Sequence, residues 1–83
     1  MKGMLLCGQA GVTCLAWLDA SYVATGCLDG RVRLWDSRSA ECVITFSGHS
    51  DIIQSIEVSA NREYLVSTSL DSTACVFDVK GLQ

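Results

Sequence analysis

The stretch Leu28-Asp29-Gly30-Arg31-Val32-Arg33-Leu34-Trp35-Asp36 returns in altered form 42 residues later, as Leu70-Asp71-Ser72-Thr73-Ala74-Cys75-Val76-Phe77-Asp78. Each copy reads as a tight turn feeding a strand. Asp29-Gly30 is a strong hairpin signal, because glycine takes a positive φ without steric penalty. Val32 and Leu34 alternate with Arg31, Arg33 and Trp35, the period of two of a strand. The agreement extends beyond this stretch. Val12 falls on Ile53 and Trp17 on Val58 at a separation of 41 residues. Tyr22 falls on Tyr64, Leu28 on Leu70, Asp29 on Asp71, Trp35 on Phe77 and Asp36 on Asp78 at 42. The change of one places a single extra residue in the first loop of the second unit, where an insertion costs little.

A repeat of this length built from short strands is the signature of a β-propeller blade. Strands are predicted at 12–17, 22–28, 31–35 and 41–46 in the first unit, and at 52–58, 64–69 and 73–78 in the second. Asn61 is the expected left-handed residue of the turn before Tyr64. Residues 79–83 are too short and glycine-interrupted for a further strand. No segment carries a sustained 3.6-residue apolar stripe. The expected fold is all-β: two four-stranded antiparallel propeller blades, the second lacking its outer strand, making an incomplete β-propeller. The expected divisions are 1–11, an N-terminal segment whose residues 4–7 could be the outer strand of a preceding blade; 12–46, the first blade; and 47–83, the second, incomplete one.

Composition narrows the function classes. The chain has 83 residues, 49% hydrophobic and 18% charged, with a net charge of −3 and no basic run. That argues against electrostatic binding to nucleic acid or an anionic membrane. The apolar runs are too short for a transmembrane helix or the core of a signal peptide. The cysteines are Cys7, Cys14, Cys27, Cys42 and Cys75, odd in number and with no CxxC spacing. They read as reduced, buried thiols of a cytoplasmic protein rather than a zinc site, so no metal or other cofactor is expected.

At Gly48-His49, Leu70-Asp71 and Trp35-Asp36 the chain resembles the WD-repeat family, from about Val12 to Asp78. Within the family, GVTCLAW, ATGCLDGRVRLWD and FSGHSDIIQSIEVS resemble the last two blades of the angio-associated migratory cell protein group. The resemblance implies a seven- or eight-bladed propeller acting as an interaction platform. The closer resemblance implies a cytosolic scaffold or adaptor. Escort of a newly made ribosomal protein of the large subunit is a role in that group that would need the full propeller. The resemblance also implies a structural hydrogen-bond set. His49, Ser69 and Asp71 would supply it in the second unit, where Phe77 takes the place of a tryptophan and lacks its N–H. In the first unit Trp35 and Asp29 are present, with Cys27 in place of the hydroxyl and Gly8 in place of the histidine. Partner-binding positions implied by the family are Ile52, Gln54 and Leu70, matched by Gly11, Thr13 and Leu28 in the first unit.

Ser69, His49 and Asp71 are also the residue types of a hydrolytic triad. A triad needs a nucleophile beside its base and an oxyanion hole. In a repeat, His49 reads instead as a strut ordering a blade turn, so no catalytic residue and no enzyme activity are expected. Asp29, Asp36, Asp71 and Asp78 are turn acids, and Arg31 and Arg33 are surface or inter-blade residues. Two blades do not close a ring. Both outer faces of the pair are expected to be apolar and uncovered, giving marginal stability or self-association. The chain is therefore expected to be the C-terminal part of a longer propeller or a shortened gene product. The expected function is a protein–protein interaction module; the competing expectation is a truncated product with no independent function.

Overall fold

The computed structural model describes residues 11–82. The expected strand at 4–7 and the position of Gly8 lie outside them. Seven strands follow one another: β1 (Val12–Trp17), β2 (Tyr22–Cys27), β3 (Arg31–Asp36), β4 (Glu41–Ser47), β5 (Ile53–Val58), β6 (Tyr64–Ser69) and β7 (Ala74–Asp78), with a 3₁₀ turn at Lys80–Leu82. They form a four-stranded sheet in the order β1-β2-β3-β4 and a three-stranded sheet in the order β5-β6-β7. Every neighbouring pair is antiparallel. Among the described residues the second sheet has no outer strand, and the fold is an incomplete propeller.

The turn chemistry explains the strand order. Asp29 accepts the N–H of Arg31 at 3.1 Å, and Asp71 accepts that of Thr73 at 2.9 Å. Gly30 and Ser72, two equivalent residues, have φ of 81° and 72°. The β1–β2 loop runs from residue 18 to 21 and the β5–β6 loop from 59 to 63, one residue longer. In that longer loop the left-handed residue is Arg62, at φ 62°, rather than Asn61. Asn61 spends its side-chain carbonyl on the Ser59 hydroxyl and the Glu63 N–H, so the bend falls on the next residue.

Residues paired across strands share a face, which defines what meets what. The inner face of the first sheet, with Ala24, Val32, Leu34, Ile44 and Phe46, packs on Ile53, Ile56, Leu65 and Phe77 of the second. Leu18 and Val79 are buried in the same core. Fully burying one such aliphatic side chain stabilises by about 1.5–3 kcal/mol. The sheets approach closely because Gly26 has no side chain: a Cβ there would lie 2.4 Å from Cγ2 of Ile53. A Cβ on Gly30 would lie 2.8 Å from the carbonyl oxygens of both His49 and Asp51. The Thr13 hydroxyl adds a polar tie, reaching the Ile53 carbonyl of β5 at 2.6 Å.

The two outer faces differ, which corrects the expectation that both are apolar. Leu15 and Trp17 stand half exposed on the first sheet, on the face that also carries Val23, Thr25 and Trp35. The second sheet turns Ser55, Glu57, Thr68 and Ala74 outward, with Val66 and Val76 among them. Ser55 and Thr68 hydrogen-bond each other there at 2.7 Å. Strand alternation puts Ser55, Glu57 and Thr68 on the side away from Ile53, Ile56 and Leu65, while Ser67 and Ser69 face inward with them.

Candidate functional site

The β2–β3 and β6–β7 turns are built alike. The Leu28 N–H donates to the Gly11 carbonyl at 2.9 Å, and the Leu70 N–H donates to the Ile52 carbonyl at 3.0 Å. Each bond ties a turn to the segment leading into the innermost strand. The outcome is the same twice: Leu28 is 53% exposed and Leu70 50% exposed. Gly30 lies against the backbone of 49–51, so the first turn abuts the lead-in segment of the second sheet. Gln54 is exposed and Ile52 half-buried. Thr13, matched to Gln54 in the first unit, instead spends its hydroxyl between the sheets.

Beneath Leu70 and Ile52 runs a chain of side-chain hydrogen bonds. The His49 side chain is 0% exposed. Its Nε2 meets the Ser67 hydroxyl at 2.7 Å and its Nδ1 the Thr73 hydroxyl at 2.8 Å. Thr73 in turn donates to the Asp71 carboxylate. The carboxylate only accepts, which fixes the direction of two bonds: Thr73 O–H to Asp71 and Nδ1–H to Thr73; in the neutral ring Nε2 then accepts from the Ser67 hydroxyl. Asp71 also accepts the Ser50 N–H at 2.8 Å. The Thr73 hydroxyl and the Ser50 N–H hold the Asp71 carboxyl well below the usual carboxylate range. Its Oδ1 lies 3.5 Å from His49 Nδ1, so Thr73 mediates most of that contact.

These distances sort the sequence-derived set. His49 and Asp71 come together, but the hydroxyl at His49 is Ser67, not Ser69. Ser69 sits one strand pair nearer the turn, donating to the Asp51 carbonyl and accepting the Asp71 N–H, each at 3.1 Å. In the first unit the Trp35 indole N–H donates to Thr25 at 3.0 Å, so Thr25 is the hydroxyl there and Cys27 does not replace it. Asp29 is separate: Arg33 grips it with two bonds, at 2.7 and 3.3 Å, and holds its carboxyl below the ordinary value. Phe77 stacks on Phe46 across the sheets. Sequence reasoning missed Thr73; the signal was a hydroxyl two residues after the turn aspartate, where the first unit has Arg31.

Chemically, this arrangement ties the 49–50 segment to the β6–β7 turn and to Ser67 of β6. Both nitrogens of His49 are engaged by hydroxyls, and its ring is buried. Among the described residues no group of three or more His, Cys, Asp or Glu side chains could hold a metal ion.

A family model described as "WD domain, G-beta repeat" matches residues 3–36 and 40–78. The chain belongs to the WD-repeat family. Other WD-repeat proteins show the same relationship. The chain is 37% identical over 62 residues to the periodic tryptophan protein 2 homolog of Caenorhabditis elegans, covering 75% of this chain and 7% of that one. It is 37% identical over 73 residues to the angio-associated migratory cell protein of Homo sapiens, covering 87% and 17%. The chain thus spans less than a fifth of either relative. The WD-repeat fold is shared with the β-propeller domain of Myceliophteria thermophila Cps50 (Swd1), at a TM-score of 0.79 and 21% identity, over 86% of this chain and 23% of that one. The second matched unit, 40–78, begins with β4 of one WD-repeat sheet and continues through all three strands of the next.

Proposed function

We propose that this WD-repeat pair is a non-enzymatic protein-interaction module whose binding edge is the turn end carrying Leu28, Leu70, Ile52 and Gln54. The observation that carries this reading is the repetition: two leucines, 42 residues apart, each half exposed and each held by the same backbone bond to the lead-in segment. A large apolar side chain kept outward by a fixed backbone suits a protein partner, since less ordering entropy remains to be lost on binding. The His49–Thr73–Asp71 chain, anchored by the buried imidazole, braces the turn that carries Leu70. We assign the protein to the cytoplasm, in keeping with Cys14, Cys42 and Cys75, which form no disulfide among the described residues.

A second reading rests on the half-exposed Leu15 and Trp17 and on the edge of β7, which no strand pairs among the described residues. These fit a pair of sheets that works within a longer ring, so the unit of function would be that ring. The escort of a newly made ribosomal protein belongs to this reading. The test uses the 83-residue chain and its L28D/L70D variant as bait, with far-UV circular dichroism as the check on folding. Partners retained by the wild type and lost by a folded variant support the first reading. Loss of all partners from a folded wild-type chain, with binding by a longer propeller, supports the second.

A further inference from the structure

The two turns at the Leu28–Leu70 end share a backbone plan but are charged differently. At the first, Arg33 grips the Asp29 carboxylate at 2.7 and 3.3 Å, and the Arg31 guanidinium lies 3.9 Å from it. At the second, Thr73 stands in the place of Arg31 and Cys75 in the place of Arg33. Asp71 is therefore held by the hydroxyls and N–H groups of Ser50 and Thr73, beside the buried His49 ring. Asp51 is exposed and accepts the Ile52 N–H on its Oδ1 at 2.7 Å. Among the described residues no lysine or arginine lies within ion-pair distance of Asp51 or Asp71. The backbone keeps both carboxylates beside the apolar pair. The Leu70 N–H donates to the Ile52 carbonyl at 3.0 Å, and the Ser69 hydroxyl to the Asp51 carbonyl at 3.1 Å.

We propose, resting on the interaction reading above, that the Leu70 half of this edge takes a partner segment in which an apolar side chain stands next to a lysine or arginine, with Asp51 receiving the cation. A partner that covers Ile52 and Leu70 also takes water away from the Asp51 carboxylate beside them. A carboxylate dried without a counter-charge is costly, and a cation on the partner offsets that cost. The Leu28 half makes no such demand, because Arg33 already pairs with Asp29. The carboxylates thus act against neutral and acidic segments that an exposed leucine alone would accept.

Two fluorescent peptides test this by anisotropy on the 83-residue chain at low salt. One carries a leucine flanked by lysines, the other the same leucine flanked by glutamates. The lysine peptide should bind more tightly, and its advantage should shrink as salt is raised. Asp51→Asn, which keeps an acceptor for the Ile52 N–H, should weaken the lysine peptide by about two- to fivefold. Should it not fold, Asp51→Ser carries the same expectation. Glu57→Gln removes the same charge from the far part of β5 and should not weaken it. Leu70→Ala should weaken both peptides. Circular dichroism confirms the fold of each variant. Equal affinity for the two peptides, both weakened by Leu70→Ala, leaves the edge as a binding surface and overturns the charge preference. So does an Asp51 variant that loses no more than Glu57→Gln. Binding of neither peptide, or binding indifferent to Leu70→Ala, overturns the edge reading and this proposal with it.

Discussion

Phe46 and Phe77 stack across the two sheets with ring centroids 4.6 Å apart and planes 29° from parallel. Phe46 comes from the outermost strand of the first sheet and Phe77 from the edge strand of the second. The pair closes the outer end of a core whose inner end is closed by Thr13 and Ile53. Replacing Phe77 with alanine removes the stack and part of the core, and should cost about 2–4 kcal/mol. Thermal unfolding followed by circular dichroism checks this; an unchanged midpoint would mean that the stack contributes nothing.

His49→Ala should destabilise by about 1–3 kcal/mol, because Ser67 and Thr73 each lose a buried partner at once. Ser67→Ala should fall in the same range. A double-mutant cycle between the two is the sharper measurement. Coupling shows that His49 and Ser67 act together, and strict additivity refutes it.

The Thr13 hydroxyl crosses from β1 to the Ile53 carbonyl, so Thr13→Val keeps the shape and deletes the bond. The expected loss is about 0.5–1.5 kcal/mol. Gly26→Ala strikes the same contact from the other side. Its new methyl meets the buried Ile53, and the expected cost is about 1–3 kcal/mol. Urea unfolding of both variants would show whether Gly26 is the more demanding position.

Acid should weaken the fold. The Asp71 carboxyl is depressed by Thr73 and Ser50, and the Asp29 carboxyl by Arg33. A folded-state value below the unfolded value of about 3.9 means that the unfolded chain takes up the proton more readily. The stabilisation is present above about pH 4 and is lost as the pH falls further. Melting temperatures from pH 7 down to pH 3 should therefore drop, and Asp71→Asn should flatten the curve. A wild-type melting temperature independent of pH over this range would contradict the depression.

The strands were legible because alternation and Asp-Gly punctuation are local signals. The extra residue before Tyr64 was legible because a repeat exposes insertions directly. The choice between Ser67 and Ser69 was not. Both point to the same side of β6, and alternation cannot rank residues two apart; how far the His49 ring reaches decides it, and that depends on the 48–52 segment. The same ambiguity exchanged Cys27 for Thr25. The polar outer face of the second sheet could have been read from Ser55, Glu57 and Thr68, had the parity of β5 and β6 been followed through the irregular pairing between Ile53 and Ser55.

The unit 40–78 takes its first strand from one sheet and its other three from the next. A gene segment with those borders does not encode a self-contained sheet. Inserting a copy of it in tandem would lengthen the array while giving each three-stranded sheet inside it an outer strand from the unit that follows. Excising one would re-pair its neighbours in the same way. Growth and shrinkage by whole units therefore leave each interior sheet with its full set of strands.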